Sequence, residues 1–136
     1  MLYTAQATAT GGRDGHVKSS DGSLDIDVRV PKEMGGAGGS YANPEILFAA
    51  GYSACFGSAL DMIIRMEKIE TGTTSVTADV SLGKTDNHVY GLAVTLEVEV
   101  PGVERSVAER LVEKAHQVCP YSNATRGNID VKLVVK

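Results

Sequence analysis

Few residues of this chain are equipped for chemistry, and two of them are cysteines. Cys55 and Cys119 are its only thiols. They stand far apart in sequence, so neither a Cys-x-x-Cys redox motif nor a zinc knuckle is present. Free cysteine is among the most buried residue types, and one reading makes both small core hydrophobes. The other is a thiol-peroxidase pair, in which a thiolate attacks a peroxide and a second thiol condenses with the resulting sulfenic acid. A mid-helix cysteine in oily surroundings has its pKa raised, and a helix dipole fades within its first turn. Lowering a cysteine pKa from ~8.5 to ~6 takes about 3.4 kcal/mol of differential stabilisation. A close, partly desolvated arginine supplies that much and a surface lysine does not. The pair reading therefore requires a buried arginine, itself held by a carboxylate.

Arg13 and Glu45 are the candidates for that duty. Arg13 lies in the turn Gly11-Gly12-Arg13-Asp14-Gly15, whose glycines let the backbone come close. Glu45 precedes Cys55 by ten residues, about 15 Å of helix axis, so it cannot reach the sulfur. Its available task is orienting a guanidinium, which is planar and bidentate toward carboxylates. Taken singly, Arg13 also reads as an exposed turn residue and Glu45 as a helix-dipole charge. His116 lies three residues before Cys119, but His16 and His88 add no ligand spacing, so no metal site and no cofactor is expected. His116 reads as a partner of a helix C-terminus that could tune Cys119.

The elements that must position these residues follow from periodicity. Tyr3 to Thr10 alternates with a period of two, as a strand does, and His16 to Ser20 reads as its return strand. Leu24, Ile26, Val28 and Val30 alternate with polar residues until Pro31. The glycine-rich stretch from Met34 to Asn43 reads as an irregular loop. Asn43-Pro44-Glu45 has the form of a helix start, with Asn as N-cap and Pro at the first position. The helix runs to about Met66, and its first four turns are apolar all round, which marks a buried helix. Small residues at Gly51, Ser53, Gly57 and Ser58 would permit another backbone to approach. Val76 to Leu82 and Leu92 to Val100 are two further strands. Ser106 to Glu109 matches a capping box opening a second helix. That helix ends at Cys119-Pro120, because proline disfavours helical geometry in the residue before it. Ile129 to Val135 is a last strand. The expectation is an α+β fold of mainly antiparallel sheets, order βββαββαβ, packed with two buried helices.

Size and charge narrow the function classes. At 136 residues the chain is read as one domain, 1–136, long enough for a core without staples. A 43% apolar and 22% charged composition is ordinary for a globular protein. The net charge of −4 without a basic run argues against nucleic-acid and anionic-membrane surfaces. The apolar stretch Ile46 to Leu60 reads as too short to span a bilayer, and no secretory signal pattern opens the sequence, so a cytoplasmic location is expected. One domain supplies little core to cover an oily helix, which points to a second chain.

The longer motifs add a resemblance. Thr8 to Gly15, Gly35 to Gly39, Asn43-Pro44-Glu45 with Leu47 to Phe56, and Ala115 to Asn128 resemble the organic hydroperoxide resistance (Ohr) branch of the OsmC/Ohr superfamily, from end to end. The resemblance implies an intertwined homodimer with two long central helices between sheets. It implies a cysteine-based peroxidase reducing organic hydroperoxides, fatty-acid ones included, to alcohols. Matched by motif, Cys55 would be the peroxidatic cysteine and Cys119 the resolving one. Arg13 would hold the thiolate and Glu45 would pair with Arg13. The reductant implied is a dithiol such as a protein-bound lipoyl group. Two alternatives stand beside this: the stress-induced OsmC branch, and a non-enzymatic dimer with inert thiols. Apolar residues that would line a site near Cys55 are Phe48, Phe56, Met34 and Ile63.

Overall fold

A computed structural model describes residues 1–136. The chain divides into two compact units, Met1–Leu47 and Phe48–Lys136. The first holds a three-stranded antiparallel sheet, β1 (Ala7–Thr10), β2 (Gly15–Ser19) and β3 (Asp25–Val28), in that order. The first strand is shorter than its alternation suggests, because only Ala7 to Thr10 find partners on β2. At the β1–β2 turn Gly11 and Gly12 take φ of +82° and +60°, a left-handed conformation that side-chain-bearing residues rarely adopt. Pro31 is followed by a single 3-10 turn, Lys32–Met34, before the glycine loop. The loop returns beside β3, where the Arg29 amide donates to Ala42 at 3.0 Å.

Helix α1 spans Pro44–Glu67. Its start is as the sequence indicates: Asn43 Oδ1 accepts the Ile46 amide at 2.8 Å, satisfying one of the amides a helix leaves unpaired. At 24 residues, with mean hydropathy 1.5 over its most apolar window, α1 is long and apolar enough to cross a membrane by length and composition. This corrects the expectation that the stretch is too short. Here one side of α1 enters the core through Tyr52, Phe56, Ala59, Leu60, Ile63 and Ile64. Asp61, a charge within the otherwise oily middle of the helix, sits at the surface and accepts a hydrogen bond from Thr74 at 2.8 Å. Gly51 admits a side chain rather than a backbone: a Cβ there would lie 2.7 Å from the Tyr121 hydroxyl.

The second unit packs α1 residues on a sheet of β4 (Ser75–Lys84), β5 (Tyr90–Glu99) and β6 (Val131–Val135), in that order. β4 and β5 are antiparallel, whereas β6 runs parallel to β5. A parallel pairing needs a crossover, and α2 (Arg105–Val118) with α3 (Pro120–Thr125) supplies it. Helix α2 begins one residue before Ser106, with Glu104 as an N-cap that makes no side-chain bond, so the capping box does not form. The Glu104 carbonyl takes the Val107 and Ala108 amides instead. Pro120 ends α2 as expected, then starts α3, an element the sequence pattern did not reveal. Cys119 is the extended joint between the two helices (φ −64°, ψ 124°). Cys119 itself is fully buried and belongs to the same core cluster as Leu96, Leu111, Val112 and Ala115.

Candidate active site

Two of the four sequence-picked residues meet in the first unit. Arg13 Nη1 and Nη2 donate to Glu45 Oε2 and Oε1 at 2.9 and 2.6 Å, a two-pronged pair. The glycine turn presents the guanidinium and the first turn of α1 presents the carboxylate, where the helix dipole favours a negative charge. The Arg13 hydrogen bonds hold the Glu45 carboxyl below its ordinary range, and Glu45 in turn holds the guanidinium above its own. The arginine is less buried than the thiolate argument requires: its side chain is 36% exposed in the chain, against 15% for Glu45. Arg29 braces the same turn, its Nη1 donating to the carbonyls of Gly15 (2.9 Å) and Val28 (2.6 Å), with its guanidinium over the Tyr41 ring.

The other two meet in the second unit. The Cys119 thiol faces Cys55 Sγ at 3.7 Å, and both are free thiols. A disulfide bond is about 2.05 Å long, so the sulfurs need to close by only about 1.7 Å. Cys119 is wholly buried and Cys55 partly so. Burial pushes the Cys55 thiol up first, the neighbouring Cys119 adds to this, and the Tyr121 backbone N–H opposes it. Within this unit the surroundings of Cys55 therefore favour the thiol, and a thiolate requires a cation.

Three aromatic rings stand over this corner. Phe48 meets Tyr52 and Tyr121 edge-on at 6.2 and 6.3 Å, and Tyr52 lies 5.7 Å from Tyr121. Of the residues expected to line a site, Phe48 belongs to this cluster. Phe56 and Ile63 do not: both are core, with Phe56 wholly enclosed. Met34 lies on the 3-10 turn of the first unit and is exposed. Sequence reasoning missed Tyr52, Ser122 and Thr125, which join in buried hydrogen bonds. The hydroxyl residues of 120–125 were the available sign. His116 is in the last turn of α2, as expected, and its Nδ1 bonds Ser122 Oγ at 2.8 Å. Burial, then the nearby Arg126, pushes its pKa down. No three His, Cys, Asp or Glu side chains converge as a metal-binding set.

Residues 36–134 match the family described as OsmC-like protein. An organic hydroperoxide resistance protein of Xanthomonas axonopodis pv. citri is 51% identical over 136 residues, covering 99% of this chain and 95% of that protein. The chain belongs to the OsmC-like family, in its organic hydroperoxide resistance branch. The crystal structure of an Ohr protein from Elizabethkingia anophelis is similar at 62% identity and a TM-score of 0.96, covering 100% of this chain and 97% of that one. That of OhrB from Bacillus subtilis is 47% identical, with a TM-score of 0.92 and full coverage of both chains. Likeness at this level extends over both units, so the Ohr fold includes the glycine turn, the long helix and the Cys119 joint.

Proposed function

We propose that this chain is a cysteine-dependent peroxidase that reduces organic hydroperoxides to alcohols. The observation that carries the reading is the 3.7 Å contact between two free thiols held on separate helical segments. The Cys55 thiolate attacks the terminal peroxide oxygen, the O–O bond breaks, and the departing alkoxide is protonated to the alcohol. Cys55 is left as a sulfenic acid. The Cys119 thiol then displaces the sulfenic hydroxyl as water, forming the Cys55–Cys119 disulfide. A dithiol restores both thiols by exchange and becomes a disulfide itself. A protein-bound lipoyl group is the dithiol that the family resemblance favours. Arg13 is assigned as the cation that keeps Cys55 ionised, and Glu45 as the carboxylate that orients Arg13.

The functional unit is a homodimer working in the cytoplasm, where free thiols persist. The partly exposed rings of Phe48 and Tyr121, backed by Tyr52, favour alkyl and acyl peroxides. The test is mass spectrometry of the protein after one equivalent of cumene hydroperoxide. A loss of two hydrogens linking Cys55 to Cys119 is expected. Unchanged thiols, or equal consumption of hydrogen peroxide, would count against the reading.

A further inference from the structure

A hydrogen-bonded chain behind the sulfur pair ties together the segments that carry it. Tyr52 lies three residues before Cys55 on α1. His116 lies three before Cys119 on α2, and Ser122 three after it on α3. The Tyr52 hydroxyl is 2.8 Å from Ser122 Oγ and 3.2 Å from Thr125 Oγ1. Ser122 Oγ is 2.8 Å from His116 Nδ1. Thr125 closes the group by donating to the Ser122 carbonyl at 3.2 Å. Tyr52 and Ser122 have no solvent exposure and Thr125 has 3%. Buried hydroxyls without partners are costly, so these bonds define one arrangement of the joint rather than several.

We propose that Tyr52, Ser122 and His116 are positioning residues for disulfide formation, holding the Cys119 joint so that its sulfur stays against Cys55. The inference rests on Cys119 being the resolving thiol. Proline at 120 removes an amide that could otherwise continue α2, and the joint at Cys119 is extended. The backbone of the joint is therefore set by side chains on either side of it. Burial and Arg126 disfavour a charge on His116. In its Nε2–H tautomer, Nδ1 accepts from Ser122 O–H and Ser122 Oγ accepts from Tyr52 O–H, so that the donors run from α1 to α2. The reaction served is a condensation: the Cys119 S–H and Cys55 S–OH bonds break, an S–S bond and water form, and the hydroperoxide is the oxidant consumed beforehand.

The experiment compares Ser122→Ala and His116→Ala with the wild-type protein in two assays. In the first, one equivalent of cumene hydroperoxide is added and sulfenic acid and disulfide are followed by rapid quench with dimedone. The sulfenic acid should persist, with disulfide formation slowed about tenfold relative to the peroxide step, the effect of one lost buried hydrogen bond. His116→Asn, whose Oδ1 replaces the Nδ1 acceptor, should restore the rate. In the second, the Cys55–Cys119 disulfide is titrated against dithiothreitol, and its equilibrium constant should fall by a similar factor of about ten. The second assay needs no peroxidase activity. A wild type inert to hydroperoxide would retire the peroxidase reading, while a shifted titration would still support the positioning one. Two alanine variants with wild-type disulfide rate and equilibrium would overturn the proposal, as would an equal slowing of both chemical steps. Because His116 is only partly buried, its variant tests the chain even where Ser122→Ala does not fold.

Discussion

Charge placement bears directly on the role proposed for each residue of the candidate site. Cys55 gains nothing from its own unit beyond one backbone N–H, set against burial and a second thiol. Arg13→Lys keeps a positive charge but loses the two-pronged grip on Glu45, so the point charge is no longer aimed. The Cys55 pKa should then rise toward or above the ordinary ~8.5, read as the pH dependence of iodoacetamide alkylation. A thiol that alkylates along an unchanged pH curve would remove Arg13 from its assigned role. Cys55→Ser should abolish turnover, whereas Cys119→Ser should consume about one equivalent of hydroperoxide per site and stop, because the sulfenic acid has no resolving thiol. The Arg13–Glu45 pair also predicts a pH effect. The folded Glu45 pKa is depressed, so its stabilisation is fully present above the unfolded value of about 4.3 and disappears as pH falls through the lower folded value. The difference in melting temperature between wild type and Glu45→Gln should be constant near neutrality and vanish only in acid.

The elements show how local rules are overridden by packing. Gly51→Ala would gain about 1 kcal/mol of helix propensity. The new methyl would sit 2.7 Å from the Tyr121 hydroxyl and 3.1 Å from its ring. Overpacking of that kind costs about 1–3 kcal/mol, so the net expectation is a loss of stability of up to about 2 kcal/mol. Adding Tyr121→Ala should reverse the sign of the Gly51→Ala effect, and a double-mutant cycle by urea denaturation would measure the coupling. The alternation of Leu92 to Val100 and the Asn43-Pro44-Glu45 start were legible because each is a local signal repeated over neighbouring residues. The capping box at Ser106 was misleading because Glu104 already fills the cap position from the backbone alone. Helix α3 was invisible: six residues give no period to read, and Pro120 looked like an end when it is also a beginning. The parallel placement of β6 was equally out of reach, since it depends on where the crossover lands. Of the candidate site, the two cysteines and the Arg13–Glu45 pair could be picked by chemistry. The Tyr52–Ser122–His116 chain could not, because its bonds join residues as far as 70 positions apart.

At the scale of the molecule, helix α1 poses the largest demand. One side of it fills the core, yet Ile46 is 51% exposed, Met62 39% and Met66 70%. Ala50, Ala54 and Ser58 are exposed between them at the same four-residue spacing, giving a largely apolar stripe that winds about 200° round a helix of about 36 Å, as an i, i+4 row does. Single exposed apolar residues are normal on a protein surface, but a contiguous ridge of this kind, centred on Ala54 and Ser58, marks an interaction face. The small residues at its centre would let a second helix come within the 8–10 Å at which helices pack. A copy of the same helix fits this description, since a two-fold interface requires a patch complementary to itself. Ala54→Glu places one charge from each copy near the centre of such a contact, where two buried like charges cannot be compensated. Sedimentation velocity should therefore find the wild type as a dimer and Ala54→Glu as a monomer at micromolar concentration. The same change on the exposed outer face of α2, Gln117→Glu, should leave the dimer intact. A monomeric wild type, or an Ala54→Glu dimer as tight as the wild type, would mean that some other partner covers the stripe.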